Sequence, residues 1–424
     1  MAARRIAVVG AGLAGLCAAL ELRDAGCDVE IFERSRLIGG RATSFEIDGR
    51  EVDNGQHVFL ACCTEFRRFV DRVGMSRHLY LQPRFDVLAI AKNGVSSRLR
   101  ASRLPPPMHL VGSLVGYRHL TWTGRLQVAW ALARIRGALA ASESFAKWLA
   151  RHGQGKDAIR GFWEPFVVPA LNAPLERVCA ADAAFVISTA FLSDPGAARF
   201  GYSTVPLAHI MNAAAARAGG VRIATPVLGV ESAKTGVRLR FAQRQTMDFD
   251  AAVLAVSPDK LAGLIGDPRP FGILPLDEYE AKPIIDIHLW YDAVPLDFDF
   301  AAILDSPVQW VFQKRSGYLC CSVSAADRYL LRGTAELIDL AWEELRAALP
   351  QLRGVRRQLG AVTRNPNSTY LPKLGVARPG QRTSQPNVAI AGSWTQTGWP
   401  DTMEAAVRSG LAAASVVKGE SQGA

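Results

Sequence analysis

The hydrophobic pattern at the start of the chain predicts a strand, a tight turn, a helix and a second strand. The stretch RRIAVVGAGLAGLCAAL, residues 4–20, carries no charge after its two arginines. It continues into ELRDAGCDVEIFER, where charged residues close an amphipathic helix and Gly26 provides a C-terminal stop. DVEIFE then alternates as a short buried strand does. With the first strand at residues 6–9, this order is a βαβ unit.

An apolar run behind two arginines is also typical of a secretory or twin-arginine export signal. A signal peptide needs a cleavage site of small residues after its apolar core, followed by a new domain start. Here the run passes directly into a helix end and a strand. We therefore expect nucleotide binding rather than export.

Three glycines in the predicted turn have the spacing G-x-G-x-x-G. Gly10 allows the tight turn, Gly12 lets the backbone approach a pyrophosphate, and Gly15 lets the helix pack closely on the strand. The phosphates would lie on the free N–H groups at the helix N-terminus, beside Leu13 and Ala14. The spacing, with a strand before it and a helix after it, predicts a dinucleotide site.

The residues after the second strand extend this site. Glu33 ends that strand, about 20 residues beyond the glycines, where an acid bonds the ribose hydroxyls. The sequence RSRLIGGRATSFEIDG follows, and its Gly39–Gly40 pair and Arg41, together with Arg34, would enlarge the phosphate-binding surface. Taken alone, this stretch is equally consistent with an ordinary turn and a solvated arginine.

The C-terminal stretch VAIAGSWTQTGWPDTMEAAVRSGLAAASVV, residues 388–417, repeats the strand-to-helix arrangement. A buried strand at 388–391 precedes a loop rich in Gly, Trp and Pro, and a helix begins near Thr402. Asp401 or Thr402 would be its N-cap. A helix N-terminus favours negative charge, such as a reduced flavin carries at N1 and O2. The predicted cofactor contacts at this end are Gly392, Ser393, Thr402 and Met403.

The N-terminal fingerprint, IGGR and the C-terminal motif together resemble the flavin amine oxidase and phytoene desaturase superfamily. Within it, VDNGQHVFLACC, FWEPFVVPALNAP, ARPG and GSWTQTGWPDTMEAAVRSG resemble the squalene-associated FAD-dependent enzymes of hopanoid biosynthesis, the hydroxysqualene dehydroxylases. The resemblance covers essentially the whole chain and implies FAD as the cofactor. One position departs from it, because the superfamily usually has an aspartate that bonds a ribityl hydroxyl where this chain has Ser393. A lower FAD affinity or a different flavin potential would follow.

The resemblance also implies the fold, which is α/β, with a Rossmann-type FAD-binding domain interleaved with an α+β substrate domain. The FAD-binding domain would take segments 1–75, 200–260 and 360–424, and the substrate domain 76–199 and 261–359. By the same resemblance, the backbone edge at Val227 would pair with adenine. The alternative for Val227 is an ordinary sheet residue.

The composition of the chain limits the classes of partner that we expect it to bind. The 424 residues are 49% hydrophobic and 21% charged, as in a globular protein, and the net charge of +10 favours anionic partners. The basic residues are scattered and no nucleic-acid module is present, so we exclude nucleic acid. Seven cysteines without a CxxC pair indicate free thiols in a reducing cytoplasm and no zinc site. No uncharged apolar run reaches the ~20 residues of a bilayer span.

The stretch at residues 104–141 is basic, aromatic and free of acidic residues. Such a composition suits the edge of a bilayer, and a peripheral contact with the inner membrane face is one interpretation. The other interpretation is a pair of packed helices in the substrate domain.

The resemblance implies a reductive reaction on a long isoprenoid lipid. Reduced FAD would deliver hydride to the allylic carbon of hydroxysqualene, giving squalene and water, and neighbouring prenyl-synthase-like enzymes would be partners. Such an enzyme needs a long apolar tunnel, for which Trp163, Trp394 and Trp399 are candidates, although Trp is also a common core residue. Two alternatives stay open: an oxidative FAD enzyme acting on an isoprenoid or an amine, and a non-catalytic flavin-binding scaffold.

The reaction also needs an acid that protonates the departing hydroxyl. VDNGQH lies just beyond the GGR loop, so Gly55, Gln56 and His57 are expected beside the flavin ring, with Asp53 orienting His57. Glu164 in FWEPF is a second candidate, because burial among apolar residues would raise its pKa. The alternatives are a core histidine, a turn-capping aspartate and a helix-end charge.

Overall fold

Two β-sheets organise the chain, and helices pack on both. The computed structural model describes residues 3–136, 139–233, 236–273 and 276–419. The strands are β1 (Arg5–Val9), β2 (Asp28–Phe32), β3 (Ser44–Ile47), β4 (Arg50–Asp53), β5 (Val58–Leu60), β6 (Leu79–Leu81), β7 (Asp86–Ala91), β8 (Ser96–Arg100), β9 (Phe200–Ser203), β10 (Gly229–Ala233), β11 (Gly236–Arg240), β12 (Thr246–Phe249), β13 (Ala251–Leu254), β14 (Tyr279–Tyr291), β15 (Phe300–Leu304), β16 (Trp310–Arg315), β17 (Tyr318–Ser324), β18 (Arg357–Pro372) and β19 (Val388–Ile390). The α-helices are α1 (Leu13–Asp24), α2 (Thr64–Arg72), α3 (Val111–Val115), α4 (Trp122–Arg134), α5 (Phe145–Arg151), α6 (Lys156–Ala158), α7 (Glu164–Leu171), α8 (Ala180–Ile187), α9 (Leu207–Arg217), α10 (Pro258–Ile265), α11 (Thr334–Ala348) and α12 (Met403–Lys418).

The first sheet is parallel and has the strand order β19-β13-β1-β2. Its strands are short apolar runs, because both faces of a parallel sheet are covered. Helices α1, α9 and α12 cover one face, and the antiparallel strands β10–β12 with α10 cover the other. The predicted βαβ unit is confirmed as β1, α1 and β2. This sheet therefore brings the two ends of the chain side by side.

Glycine determines the turn from β1 into α1. Gly10 has φ +104°, and a Cβ atom there would overlap the Ala255 carbonyl. At Gly15 a Cβ atom would overlap the Gly10 carbonyl oxygen. The turn, and the close packing of α1 on the sheet, are compatible only with glycine at these positions.

The second sheet has seven strands in the order β18-β14-β17-β16-β15-β7-β8. It is antiparallel except for the β15–β7 pair. Strand β18 forms a long antiparallel ladder with β14, so this sheet extends through Pro372, past the boundary predicted at residue 360. The physical reason is the ladder, since backbone pairing along β14 holds residues 360–372 on the second sheet.

Each face of the second sheet has its own core. Ile285, Ile287 and Leu289 of β14 point towards α11. The opposite face packs against the helical layer α4–α8. Residues 104–136 form α3, α4 and the turns around them, while residues 137 and 138 of the predicted basic stretch lie outside the described residues. No helix in the described ranges is long and apolar enough to cross a bilayer.

Candidate functional site

Two glycine loops meet at the N-terminus of α1. The Gly39 amide donates to the Ala11 carbonyl over 2.9 Å, and a Cβ atom at Gly40 would lie 3.3 Å from the Gly12 Cα. Gly12 itself faces open space, with its nearest neighbour, the Gly39 carbonyl oxygen, 4.0 Å from an ideal Cβ position. No side chain caps α1, and within the described residues the amides of Ala14 and Gly15 have no acceptor. Free amides beside an open glycine form a cradle that fits a pyrophosphate.

Glu33 connects this cradle to the end of β2 through hydrogen bonds. Its carboxylate accepts from the Ala11 amide over 2.9 Å and from the Ser35 amide over 2.8 Å. A carboxylate has about four acceptor positions, so two remain for ribose hydroxyls. The neighbouring Arg34 is exposed. The half-buried Val227 lies nearby, and its amide has no hydrogen-bond partner among the described residues, as an adenine-pairing edge requires.

The second loop connects the two ends of the chain through Arg41. Its guanidinium pairs with both Asp401 oxygens at 3.2 Å and also donates to the Ser393 hydroxyl and the Ser368 carbonyl. Ser393 is buried, and Asp401 also accepts from the Tyr370 amide. Asp401 thus supplies the negative charge beside Arg41, where the resembled superfamily has an aspartate at the position of Ser393.

The N-cap of α12 is Thr402 and not Asp401. The Thr402 hydroxyl accepts from the Ala405 amide over 3.3 Å. Within the described ranges, the amides of Met403 and Glu404 have no acceptor. The preceding Gly392 has φ +151°, and a Cβ atom there would lie 2.5 Å from the Trp394 indole nitrogen. Arg41 holds this second helix N-terminus close to the first, so the residues present fit a single dinucleotide cofactor.

The loop that carries Gly55, Gln56 and His57 packs on the second sheet. Asp53 does not orient His57: its carboxylate accepts from Ser44 and the Leu207 amide, and pairs with Lys314 at 3.0 Å. Burial opposes the ionisation of Asp53, but Lys314, the Leu207 amide and Ser44 lower its pKa overall. Asp53 is therefore paired with Lys314 of β16 and not, as predicted, with His57. The reason is that the Lys314 ammonium lies within hydrogen-bond distance of the Asp53 carboxylate.

His57 is half-buried and uses Nδ1 against the Gly55 carbonyl at 2.7 Å. Burial lowers the pKa of His57, and Lys314 and Arg41 act in the same direction, against Asp53 and Gly55. The ring is therefore neutral at pH 7, with its proton on Nδ1 and with Nε2 as an acceptor. In that state His57 is a poor proton donor.

A buried acid that the sequence motifs did not reveal lies against this loop. Asp286 of β14 is fully buried, and its Oδ1 has no hydrogen-bond partner among the described residues. A Cβ atom at Gly55 would lie 3.1 Å from its Oδ2. Burial raises the pKa of Asp286 to about 7, although Ser322, the Gln56 amide and Lys314 act in the opposite direction. The signal was in the sequence IIDIHLWY, where two polar residues share one face of an otherwise apolar strand.

His288 is the second polar residue on that face. It is buried between Tyr318, at 2.8 Å from Nδ1, and Thr363, at 3.4 Å from Nε2. Burial lowers the pKa of His288 to about 4, so it is neutral. Asp53, His57, Asp286, His288 and Lys314 together form what we call the acid cluster, in which Asp286 is the carboxyl group that is still about half protonated at pH 7.

Glu164 is exposed at the start of α7, so the predicted burial among apolar residues is wrong. The predicted direction of its pKa is correct, because partial burial raises the pKa of Glu164, and Glu176 and Asp305 act in the same direction against Arg160. Asp305 follows the C-terminal end of β15, whereas Lys314 lies near the other end of that strand, on the neighbouring β16. The pattern of apolar neighbours in FWEPF reflects their own burial and not that of Glu164.

Two of the predicted lining tryptophans are core residues. Trp163 is fully buried against Phe145 and donates to Gln154 over 2.8 Å. Trp394 is buried and donates to the Val256 carbonyl. Indole rings with satisfied N–H groups in a close-packed core do not line a tunnel. Trp399 is half-buried between Phe185 and Arg408 and is free to contact a ligand.

An apolar cavity of about 30 Å³ lies among the helices on the inner face of the second sheet. Its walls are entirely hydrophobic side chains from β8, α3, α4, α7 and the turns next to them and next to β7: Phe85, Leu99, Leu110, Leu114, Leu132, Phe162, Phe166 and Phe191. A cavity of this size has room for about one water molecule, and its hydrophobic walls offer that water no hydrogen-bond partner.

Relatives over the full length match this arrangement. The chain is 27% identical to hydroxysqualene dehydroxylase of Rhodopseudomonas palustris, covering 98% of both chains. It is 24% identical to a probable zeta-carotene desaturase of Synechococcus elongatus, covering 97% of this chain and 98% of that protein. The similarity inferred from the sequence motifs is confirmed, and it extends to both groups of enzymes.

Solved structures match the fold. Putrescine oxidase bound to putrescine superposes with a TM-score of 0.75 at 18% identity, covering 99% of this chain and 100% of that chain. A putative protoporphyrinogen oxidase from Exiguobacterium superposes with a TM-score of 0.72 at 15% identity, covering 99% of each chain. The predicted fold class is thereby confirmed. The model of the family "Flavin containing amine oxidoreductase" matches residues 13–418. The chain therefore belongs to the flavin-containing amine oxidoreductases and is an FAD-dependent oxidoreductase.

Proposed function

We propose that this enzyme reduces hydroxysqualene to squalene. The full-length similarity to three hydroxysqualene dehydroxylases, at 24–27% identity, supports this reaction. The observation that carries it is Asp286, a carboxylic acid held protonated up to neutral pH beside the predicted flavin loop. Removal of a hydroxyl group requires a proton donor, whereas desaturation removes hydrogen and requires none.

Reduced FAD, held by the two glycine loops and the N-terminus of α12, would supply a hydride, with its electron pair, to the substrate carbon and would itself be oxidised. The C–O bond of that carbon breaks, and the departing oxygen takes a proton and leaves as water. The proton comes from Asp286 Oδ1, the oxygen that no neighbouring group engages.

The remaining residues of the acid cluster determine which group holds that proton. Lys314 stays paired with Asp53, so it compensates that carboxylate and leaves Asp286 as the acid. Neutral His57 and neutral His288 add no charge beside an allylic carbon that becomes electron-poor as the hydroxyl leaves.

The test is a single anaerobic turnover of the FAD-loaded enzyme after chemical reduction. Addition of hydroxysqualene should re-oxidise the flavin and form one equivalent of squalene. Asp286→Asn should slow this step by about 10²–10⁴-fold, the usual contribution of a general acid, with FAD content unchanged. The control is Glu164→Gln, which removes the exposed carboxylate and should retain the rate.

The opposite result would identify a desaturase. If oxidised enzyme is reduced by a carotene precursor, while reduced enzyme leaves hydroxysqualene intact, the proposed direction of hydride flow is wrong. The similarity to zeta-carotene desaturases makes this the relevant alternative substrate class.

A further inference from the structure

Exposed apolar side chains are concentrated in one segment of the surface. In the part of the chain that the structure describes, eleven large apolar side chains are exposed, and seven lie between residues 104 and 130. We call these seven the apolar face: Leu104, Met108, Val111, Val115, Trp122, Leu126 and Trp130. They are between 41% and 70% exposed. A patch of this kind on a soluble surface marks an interaction site.

Helix α4 shows how the face is built. Trp122, Leu126 and Trp130 recur every four residues, so they form one stripe on the helix. Gly124, Val128 and Ala131 lie on the opposite side and are buried. Since the helix already has a buried side, the outer stripe is a second apolar surface with no partner within the described chain.

The charged residues of the segment that carries the apolar face are all basic. No Asp or Glu occurs between residues 101 and 142, while Arg103, Arg118, Arg134 and Arg136 are exposed. The Arg134 guanidinium lies 3.7 Å from the centre of the Trp130 ring, and that of Arg125 lies 4.4 Å from the centre of the Trp122 ring. Asp157 of α6, an acidic neighbour of this segment, is already bonded to Thr121. Exposed tryptophan rings next to arginine are the composition that the interface of an anionic bilayer favours.

The same two helices line the apolar cavity. Leu110 and Leu114 come from the α3 region and Leu132 from α4, and all three point inward. The outer sides of these helices are the apolar face. The cavity therefore lies directly beneath that face.

We propose that the apolar face docks on an anionic lipid bilayer. This docking does not depend on the proposed function. A second copy of this chain is the competing occupant, and positive charge on both copies opposes it, whereas anionic lipid complements the arginines.

The test is co-sedimentation of the FAD-loaded enzyme with vesicles that contain no substrate. Vesicles of phosphatidylcholine mixed with phosphatidylglycerol should bind it, and vesicles of phosphatidylcholine alone should bind it at least about tenfold less. The triple variant Trp122→Ser, Leu126→Ser, Trp130→Ser and the double variant Arg118→Glu, Arg134→Glu should each lose at least about tenfold in binding. The matched controls, Leu331→Ser and Arg353→Glu, change exposed residues elsewhere and should bind normally.

Equal binding to both vesicle types, an unaffected triple variant, or an enzyme dimer that the triple variant dissociates would each overturn docking. Vesicle binding without any turnover of hydroxysqualene would refute only the proposed function.

Discussion

Replacement of Asp286 by Asn should make the protein more stable at neutral and alkaline pH while it abolishes activity. Asn has nearly the same shape and can still accept the hydrogen bonds from Ser322 and the Gln56 amide. It cannot ionise. The variant therefore removes only the requirement that a buried carboxyl group become charged as the pH rises.

The magnitude follows from the two ionisation constants. Burial raises the pKa of Asp286 to about 7, against about 3.9 in an unfolded chain. Because the folded state holds the proton more tightly, stability is lost as pH rises from about 4 through 7. Three powers of ten in the ionisation constant correspond to about 4 kcal/mol at most. About 2 kcal/mol of this should develop between about pH 5.5 and about pH 8.5.

The assay is thermal unfolding in saturating FAD across that pH range. For 424 residues, an unfolding entropy of about 2.1 cal/mol/K per residue gives about 0.9 kcal/mol/K, so 4 kcal/mol raises Tm by about 4 °C. The matched control is Asp53→Asn, a second buried carboxylate on the same cluster whose pKa is lowered. That variant should be less stable than wild type at neutral pH, because it leaves Lys314 unpaired.

Comparison of the two variants distinguishes a protonated Asp286 from an ionised one. If Asp286→Asn lowers Tm at about pH 8.5 as Asp53→Asn does, Asp286 is a stabilising anion and not a protonated acid. A difference from wild type that is the same at every pH would mean that the effect comes from packing and not from ionisation.

Two further outcomes test the cofactor site, and a third tests the contact between α12 and α2. Gly10→Ala should yield protein without bound flavin colour, because a Cβ atom at Gly10 overlaps the Ala255 carbonyl; normal flavin absorbance would contradict the cradle. Ser393→Asp should lower the Kd for FAD severalfold in a fluorescence titration, since Arg41 gains a second carboxylate partner. An unchanged Kd would mean that Asp401 already supplies the negative charge that the site requires. Glu404→Gln should lower unfolding free energy by about 1–3 kcal/mol, because the buried Glu404 carboxylate caps α2 at the Glu65 and Phe66 amides; the exposed Glu336→Gln, measured by the same calorimetry, should change little.

Local sequence determined the parts of this protein that depend on neighbours in the chain. Gly10 specifies a turn that only glycine can adopt, Gly15 specifies a close helix contact, and Gly12 leaves the backbone open to a ligand. The apolar runs on either side specify the strand and helix. For the same reason the strand-to-helix motif near Thr402 could be placed within a residue or two. The sequence 104–141 also showed its acid-free composition, because composition needs no tertiary context.

Tertiary structure alone decided which side chains meet. Asp53 lies near His57 in sequence, yet it pairs with Lys314, which is 3.0 Å away but lies on β16 in another sheet. Glu164 is flanked by apolar residues and still points outward, since a helix exposes one side whatever its neighbours are. Asp286 becomes an acid only when Gly55, more than 200 positions earlier, closes over it and removes water. A pKa depends on the dielectric and charges in three dimensions, so the proton donor could not be assigned before the fold was known.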